Sequence, residues 1–156
     1  MSVPLHLVVR RPAAEESGGL EAELSLHVPS DLDYVGEAVE LVARHCRSTA
    51  CALSPRRVQF NLRIALAEAL ANAITYGNRQ DPAKLVLVRV QLGRDAVRIE
   101  VSDDGTGFDP STVPDPMVPE NLEREDGRGL FVLRHLEDHV TFNEKGNCIC
   151  LTLRAG

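Results

Sequence analysis

Tryptophan is absent and tyrosine occurs twice in 156 residues. Aromatic platforms that stack nucleobases are therefore not indicated. No run approaches the ~20 apolar residues that a membrane helix needs. Basic residues are outnumbered, 17 Lys and Arg against 23 Asp and Glu, for a net charge of -6. That leaves no basic footprint for a nucleic acid. The opening MSVPLHLVVRRPAAEESGG lacks a basic segment followed by a long apolar one, so no signal peptide is expected. The expectation is a cytoplasmic protein with no membrane and no nucleic-acid partner. Cysteine is sparse: Cys46, Cys51, Cys148 and Cys150, with no C-x-x-C pair. Zinc-ribbon and thioredoxin-type chemistry lose their usual signature. Cys148 and Cys150 share one face of a strand-like run, and buried thiols are the simplest expectation. No internal repeat is present.

What is present is an ordinary core composition, 44% hydrophobic and 26% charged, and a length that suits one domain. After a polar lead-in, in which Val3 to Val9 leaves a short strand and a disordered arm both open, Ala22 to Val28 alternates as a strand does. Ser30 then offers an N-cap with Asp33 three residues on, and Leu32, Val35, Val39 and Val42 keep helical spacing. Ser54 and Pro55 open a second helix that runs to about Gly77. Leu85 to Leu92 and Ala96 to Ser102 form a hairpin across Gly93-Arg94-Asp95. Asp103 to Gly129 is rich in Pro, Gly and acids, a loop long enough to have a function or to be disordered. A third helix, LFVLRHLEDHV, and a closing hairpin, VTFNEKG with NCICLTLRA, complete the chain. This order predicts an α+β two-layer sandwich, with a mixed, mostly antiparallel sheet covered on one face by three helices.

The second helix carries an internal contrast. At 100° per residue, Phe60, Ile64, Ala67, Leu70, Ala71 and Ile74 form one apolar sector. Leu62, Leu66, Ala69 and Ala73 form another. Between them lie Asn61, Glu68, Asn72, Thr75 and Arg79. Two readings stand: a solvated stripe, or a buried ligand site lined by Glu68 and Asn72. Wide apolar sectors favour burial, and a buried carboxylate needs a partner; a metal held with phosphate would be one.

Two glycine-rich segments extend the choice. DDGTGFD follows an apolar strand, either as an acidic turn or as a place where Gly105 and Gly107 let the backbone approach a flat ligand. Asp103 suits an exocyclic amine, as on adenine. DGRGLF sets Gly127 and Gly129 before a helix, either as an ordinary helix start or as a phosphate site.

These three motifs, in this order, resemble the ATP-binding domain of the GHKL superfamily (gyrase, Hsp90, histidine kinases, MutL), with the Bergerat fold. Within it, the match is nearer to the bacterial anti-sigma-factor serine kinases of the RsbW/SpoIIAB type. EALANAI resembles their N-box, DDGTGFD their G1 box and GRGLFVLRHLEDHV their G2 box. The similarity runs from about Ala22 to Leu153, so residues 21–156 are expected to form the ATP-binding kinase domain and 1–20 an extension, flexible or not. The resemblance implies ATP and Mg²⁺ as cofactors. It implies Asn72 as the Mg²⁺ ligand, Glu68 as general base toward a substrate hydroxyl, and Asp103 as the adenine reader. Gly105, Gly107, Gly127, Arg128 and Gly129 would complete the nucleotide site, beneath a lid from Pro110 to Asp126. The implied activity is phosphorylation of a serine on a STAS-domain antagonist by a homodimer that also holds a sigma factor. The chain departs from this pattern at Tyr76, where relatives often have His, and at Gly146-Asn147, where they often have Gly-Thr. Arg124 and Arg128 both qualify as a lid arginine. A non-catalytic ATP-dependent switch of the same fold is the alternative. A self-contained histidine kinase would need a long dimerising helix bearing a phosphoacceptor His, and His45 reads instead as a structural or surface residue.

Overall fold

Alternation in the strands and a run of apolar residues in the helices build two layers. A computed structural model of the chain describes residues 5–11, 20–48, 53–104, 139–142 and 147–154. Within these lie β1 (His6–Arg10), β2 (Leu20–Pro29), a 3₁₀ turn (Leu32–Tyr34) and α1 (Val35–Ser48). A continuous helix over 55–77, here α2, follows. The chain then forms β3 (Leu85–Gly93), β4 (Ala96–Ser102), β5 (His139–Phe142) and β6 (Cys148–Arg154). The six strands stand in the order β1-β2-β3-β4-β6-β5, and each described pairing is antiparallel.

Register turns alternation into rows. Leu24, Val90, Ile99 and Leu151 lie side by side across four strands, and all are buried. Ala22, Leu92, Val97 and Leu153 make a parallel row. Against this face pack Ala38, Val42, Ala43 and Cys46 of α1 and Leu62, Leu66, Leu70 and Ile74 of α2. The opposite face is polar: Glu23, Arg89, Arg98 and Glu100 stand there beside Cys148 and Cys150. The α+β sandwich is thus as expected, with two helices among the described residues. The expected third helix falls on 130–138, outside them, and its last two residues, His139 and Val140, belong instead to β5. They pair there with Thr152 and Leu151.

Local chemistry accounts for the helix starts, with one correction. Ser54 Oγ accepts from the Arg57 N–H at 3.2 Å, and Pro55 takes the first turn. At the 3₁₀ turn that leads into α1 the cap is Asp31, whose Oδ1 accepts from the Asp33 N–H at 2.9 Å. Ser30, the expected cap, is 4% exposed. It donates instead to the Lys84 carbonyl at 2.6 Å. Arg63 ties the helices together through Glu40 at 2.6 Å. That guanidinium, by hydrogen bond first and charge second, holds the Glu40 carboxyl below its ordinary range.

Candidate functional site

Helix α2 changes its winding three times. Pro55–Arg57 is α-helical, Val58–Leu62 is π, Arg63–Asn72 is α and Ala73–Gly77 is π again. Single π turns of this kind are frequent at functional sites. Glu68 and Asn72 lie inside the α segment, so they are neighbours on one face. The π turn begins at the residue after Asn72.

Burial corrects the expected helical wheel. Val58, Leu62, Leu66, Leu70 and Ile74 face the sheet, but Phe60 is 56% and Ile64 42% exposed. The sector expected to hold Phe60, Ile64, Leu70 and Ile74 together is therefore split: Leu70 and Ile74 join Leu62, Leu66, Ala69 and Ala73 against the core and Phe60 and Ile64 face away, because a helix lying on one sheet buries one side only. Asn61, Glu68, Asn72 and Thr75 are half-buried and Arg79 is exposed. The polar stripe thus runs along the border between core and solvent, where a carboxylate and an amide keep access to a ligand without full desolvation.

The end of α2 meets the end of β4 at Gly77. A Cβ on Gly77 would lie 2.7 Å from Asp103 Oδ1 and nearer still to Cγ and Oδ2. The glycine is needed here for space, and the left-handed conformation that often follows a helix is not its own. That conformation falls on Arg79 and Gln80, with φ of 52° and 56°, at a cost of about 1–2 kcal/mol each. The turn is held by the Gln80 N–H on the Ile74 carbonyl at 2.8 Å.

Two asparagines fix the main chain where β4 ends. Asn78, 1% exposed, accepts the Asp104 N–H at 2.7 Å. It donates to Ser30 Oγ at 3.0 Å and to the Leu85 carbonyl at 3.1 Å. On the other side, the Asp103 N–H donates to the Asn147 carbonyl at 2.9 Å, and Asn147 Nδ2 donates to the Asp103 carbonyl at 3.1 Å. Asp103 is half-buried between these anchors.

Of the expected site residues, Glu68 and Asn72 are brought onto one helix face, and that helix ends against Asp103. Gly105, Gly107, Arg124, Gly127, Arg128 and Gly129 lie outside the described residues. The sequence reading missed Ser30 and Asn78 as a buried pair and Asn147 as a clamp. A buried Asn directly after a helix-ending Gly is the one signal that could have marked Asn78. The donor set is hard oxygen, a carboxylate and an amide, as Mg²⁺ prefers, and Asp103 offers an acceptor to an amine. The residues present therefore fit a magnesium–nucleotide ligand.

Comparison with known proteins bears on this geometry. The family described as histidine kinase-like ATPase domain matches residues 28–153. Serine-protein kinase RsbW of Staphylococcus aureus strain JH9 is 32% identical over 98 residues, 58% of this chain and 62% of the relative. RsbW of strain Newman matches to the same extent. The matched part thus spans less than two thirds of these relatives.

Proposed function

This chain belongs to the histidine kinase-like ATPase domain family, and on that premise we propose that it is a serine/threonine protein kinase of the anti-sigma-factor type. In this reading it transfers the terminal phosphoryl group of ATP to a serine on a STAS-domain antagonist, and so sets how much of a sigma factor is free. The carrying observation is that the helix bearing Glu68 and Asn72 ends on Asp103 through Gly77. That contact, between positions 77 and 103, supports placing the helix stripe and Asp103 at one site.

Asp103 accepts from the adenine amine, on a main chain held from both sides. Asn72 presents its amide oxygen to Mg²⁺, which when bound neutralises charge on the phosphate oxygens. Glu68, one turn earlier, takes the proton from the substrate hydroxyl, and its half-buried position leaves it reachable. Gly105, Gly107, Gly127, Arg128 and Gly129 belong to the same nucleotide site, with Arg124 or Arg128 as lid arginine. Residues 21–156 form the kinase domain, the extension 1–20 adds β1 to the edge of its sheet, and the protein works as a cytoplasmic homodimer.

The test is incubation with Mg-ATP and candidate STAS proteins, reading phosphoserine by mass. Glu68→Gln should keep nucleotide binding and lose transfer by about 10²–10⁴-fold. Asn72→Ala should lose Mg-dependent nucleotide binding. Transfer that survives Glu68→Gln rejects the general-base role. Nucleotide binding without any phosphoprotein favours the non-catalytic switch.

A further inference from the structure

The sheet face turned away from the helices carries two thiols that the nucleotide reading does not use. Cys148 and Cys150 stand two residues apart on β6 and pair with Ser102 and Glu100 of β4. They are half-buried, in contrast to Cys46, which is 2% exposed. Arg98 donates from Nε to Cys150 Sγ at 3.1 Å. The guanidinium is held above its ordinary value, first by that hydrogen bond and next by the sulfur's charge, with Glu100 and Cys148 adding less. Arg89 is raised mainly by Glu23, then by Glu100 and Cys148. Glu100 sits between the two arginines, 3.9 Å from Arg89 and 3.7 Å from Arg98. A partly exposed sulfur hydrogen-bonded to a guanidinium is open to an oxidant and lies in an electropositive setting of the kind that reactive cysteines occupy.

A second observation concerns where β6 begins. Cys148 directly follows Asn147, and Asn147 holds the Asp103 main chain by two hydrogen bonds, at 2.9 and 3.1 Å. A change in the path of β6 at Cys148 therefore reaches Asp103 through a single intervening residue.

We propose that Cys150 and Cys148 form a reversible, peroxide-sensitive dithiol whose oxidation loosens the Asn147 clamp on Asp103. The Cys150 thiolate attacks one oxygen of hydrogen peroxide. An S–O bond forms, the O–O bond breaks, and the leaving hydroxide takes a proton to become water. Cys150 sulfur is oxidised to the sulfenic acid by two electrons, and the peroxide is reduced. The Cys148 sulfur then attacks Cys150: S–S forms, S–O breaks, and the hydroxide leaves as water with the Cys148 proton. A small thiol reverses the bond by exchange. Residues two apart on a strand are separated by about 6.6 Å, at the upper edge of the roughly 4.4–6.8 Å a disulfide spans between α carbons. Closing the bond buckles β6 at its first residues, opens the Ser102–Cys148 pairing and draws Asn147 from Asp103. Neither the thiol chemistry nor the loosening of the clamp rests on the nucleotide reading.

The test treats the full chain with hydrogen peroxide, maps the product by mass and follows exchange of the Asp103 amide by NMR. The expected product has lost the mass of two hydrogens in the peptide holding Cys148 and Cys150, is restored by dithiothreitol and exchanges the Asp103 amide faster. Cys148→Ser should stop at a dimedone-trapped sulfenic acid on Cys150, with Asp103 exchange unchanged. Arg98→Gln should slow iodoacetamide alkylation of Cys150 by about tenfold. Oxidation that settles on Cys46 or Cys51, a disulfide that leaves Asp103 exchange unchanged, or alkylation indifferent to Arg98→Gln overturns the proposal.

Discussion

Gly77 has its α carbon against the Asp103 carboxylate, and no side chain can replace its hydrogen without displacing that group. Its neighbour Asn78 seals the same junction by holding the Asp104 main chain. Gly77→Ala forces one partner to move, at a cost of about 1–3 kcal/mol of the kind seen on overpacking. Removing the carboxylate should recover part of that loss. Urea midpoints of Gly77→Ala, Asp103→Ala and the double variant should therefore be non-additive, with a coupling of about 0.5–3 kcal/mol. Strict additivity would mean that something other than this contact limits position 77. Asp103 itself was legible from its place after an apolar strand. The need for a glycine 26 residues earlier was not, because a contact between chain segments leaves no local pattern.

Element by element, the outer sheet face and α2 show what pattern alone can and cannot specify. On the sheet, Arg89 donates to Glu23 at 3.1 Å across two strands. That hydrogen bond is the largest cause that lowers the Glu23 carboxyl below its ordinary value, with Gln91 next among those acting in the same direction. A lowered carboxylate pKa adds stability that is complete above the unfolded value and is lost as pH falls through the folded one. Glu23→Gln should thus lower the melting temperature near neutral pH, and the gap to wild type should close on acidification below the unfolded carboxyl value. The arginine is 45% exposed, so the difference stays at about 0.2–1 kcal/mol. A gap that widens in acid would reverse the sign argued here. The strands were legible because burial on one side imposes a period of two. On α2 the cap at Ser54 and Pro55 and the end at Gly77 were legible too. Its two π turns were not, since winding depends on what the helix packs against. The same dependence misplaced Phe60 and Ile64: the helical wheel groups them with Leu70 and Ile74, but only the latter pair meets the sheet.

At the scale of the molecule, the candidate site is a junction of separately anchored pieces. α2 rests on the sheet through Leu66, Leu70 and Ile74, β4 lies inside the sheet, and β6 brings Asn147 beside Asp103. A ligand that touches Asp103 and Asn72 together bridges elements that part on unfolding, so it binds the folded chain and not the unfolded one. Mass action then gives about 2.7 kcal/mol of added stability at a hundredfold excess over Kd. For a domain of this size each kcal/mol moves the midpoint by about 2–4 °C. Magnesium with a non-hydrolysable ATP analogue should raise the melting temperature by about 5–11 °C under those conditions. Asp103→Ala should abolish that rise. Leu66→Ala empties a core position that is 0% exposed, costing about 2–5 kcal/mol, yet should leave the nucleotide-induced rise in place. The two variants separate loss of the site from loss of the scaffold. A rise that persists in Asp103→Ala places the base elsewhere, whereas no rise in the wild-type chain removes the nucleotide from this junction altogether.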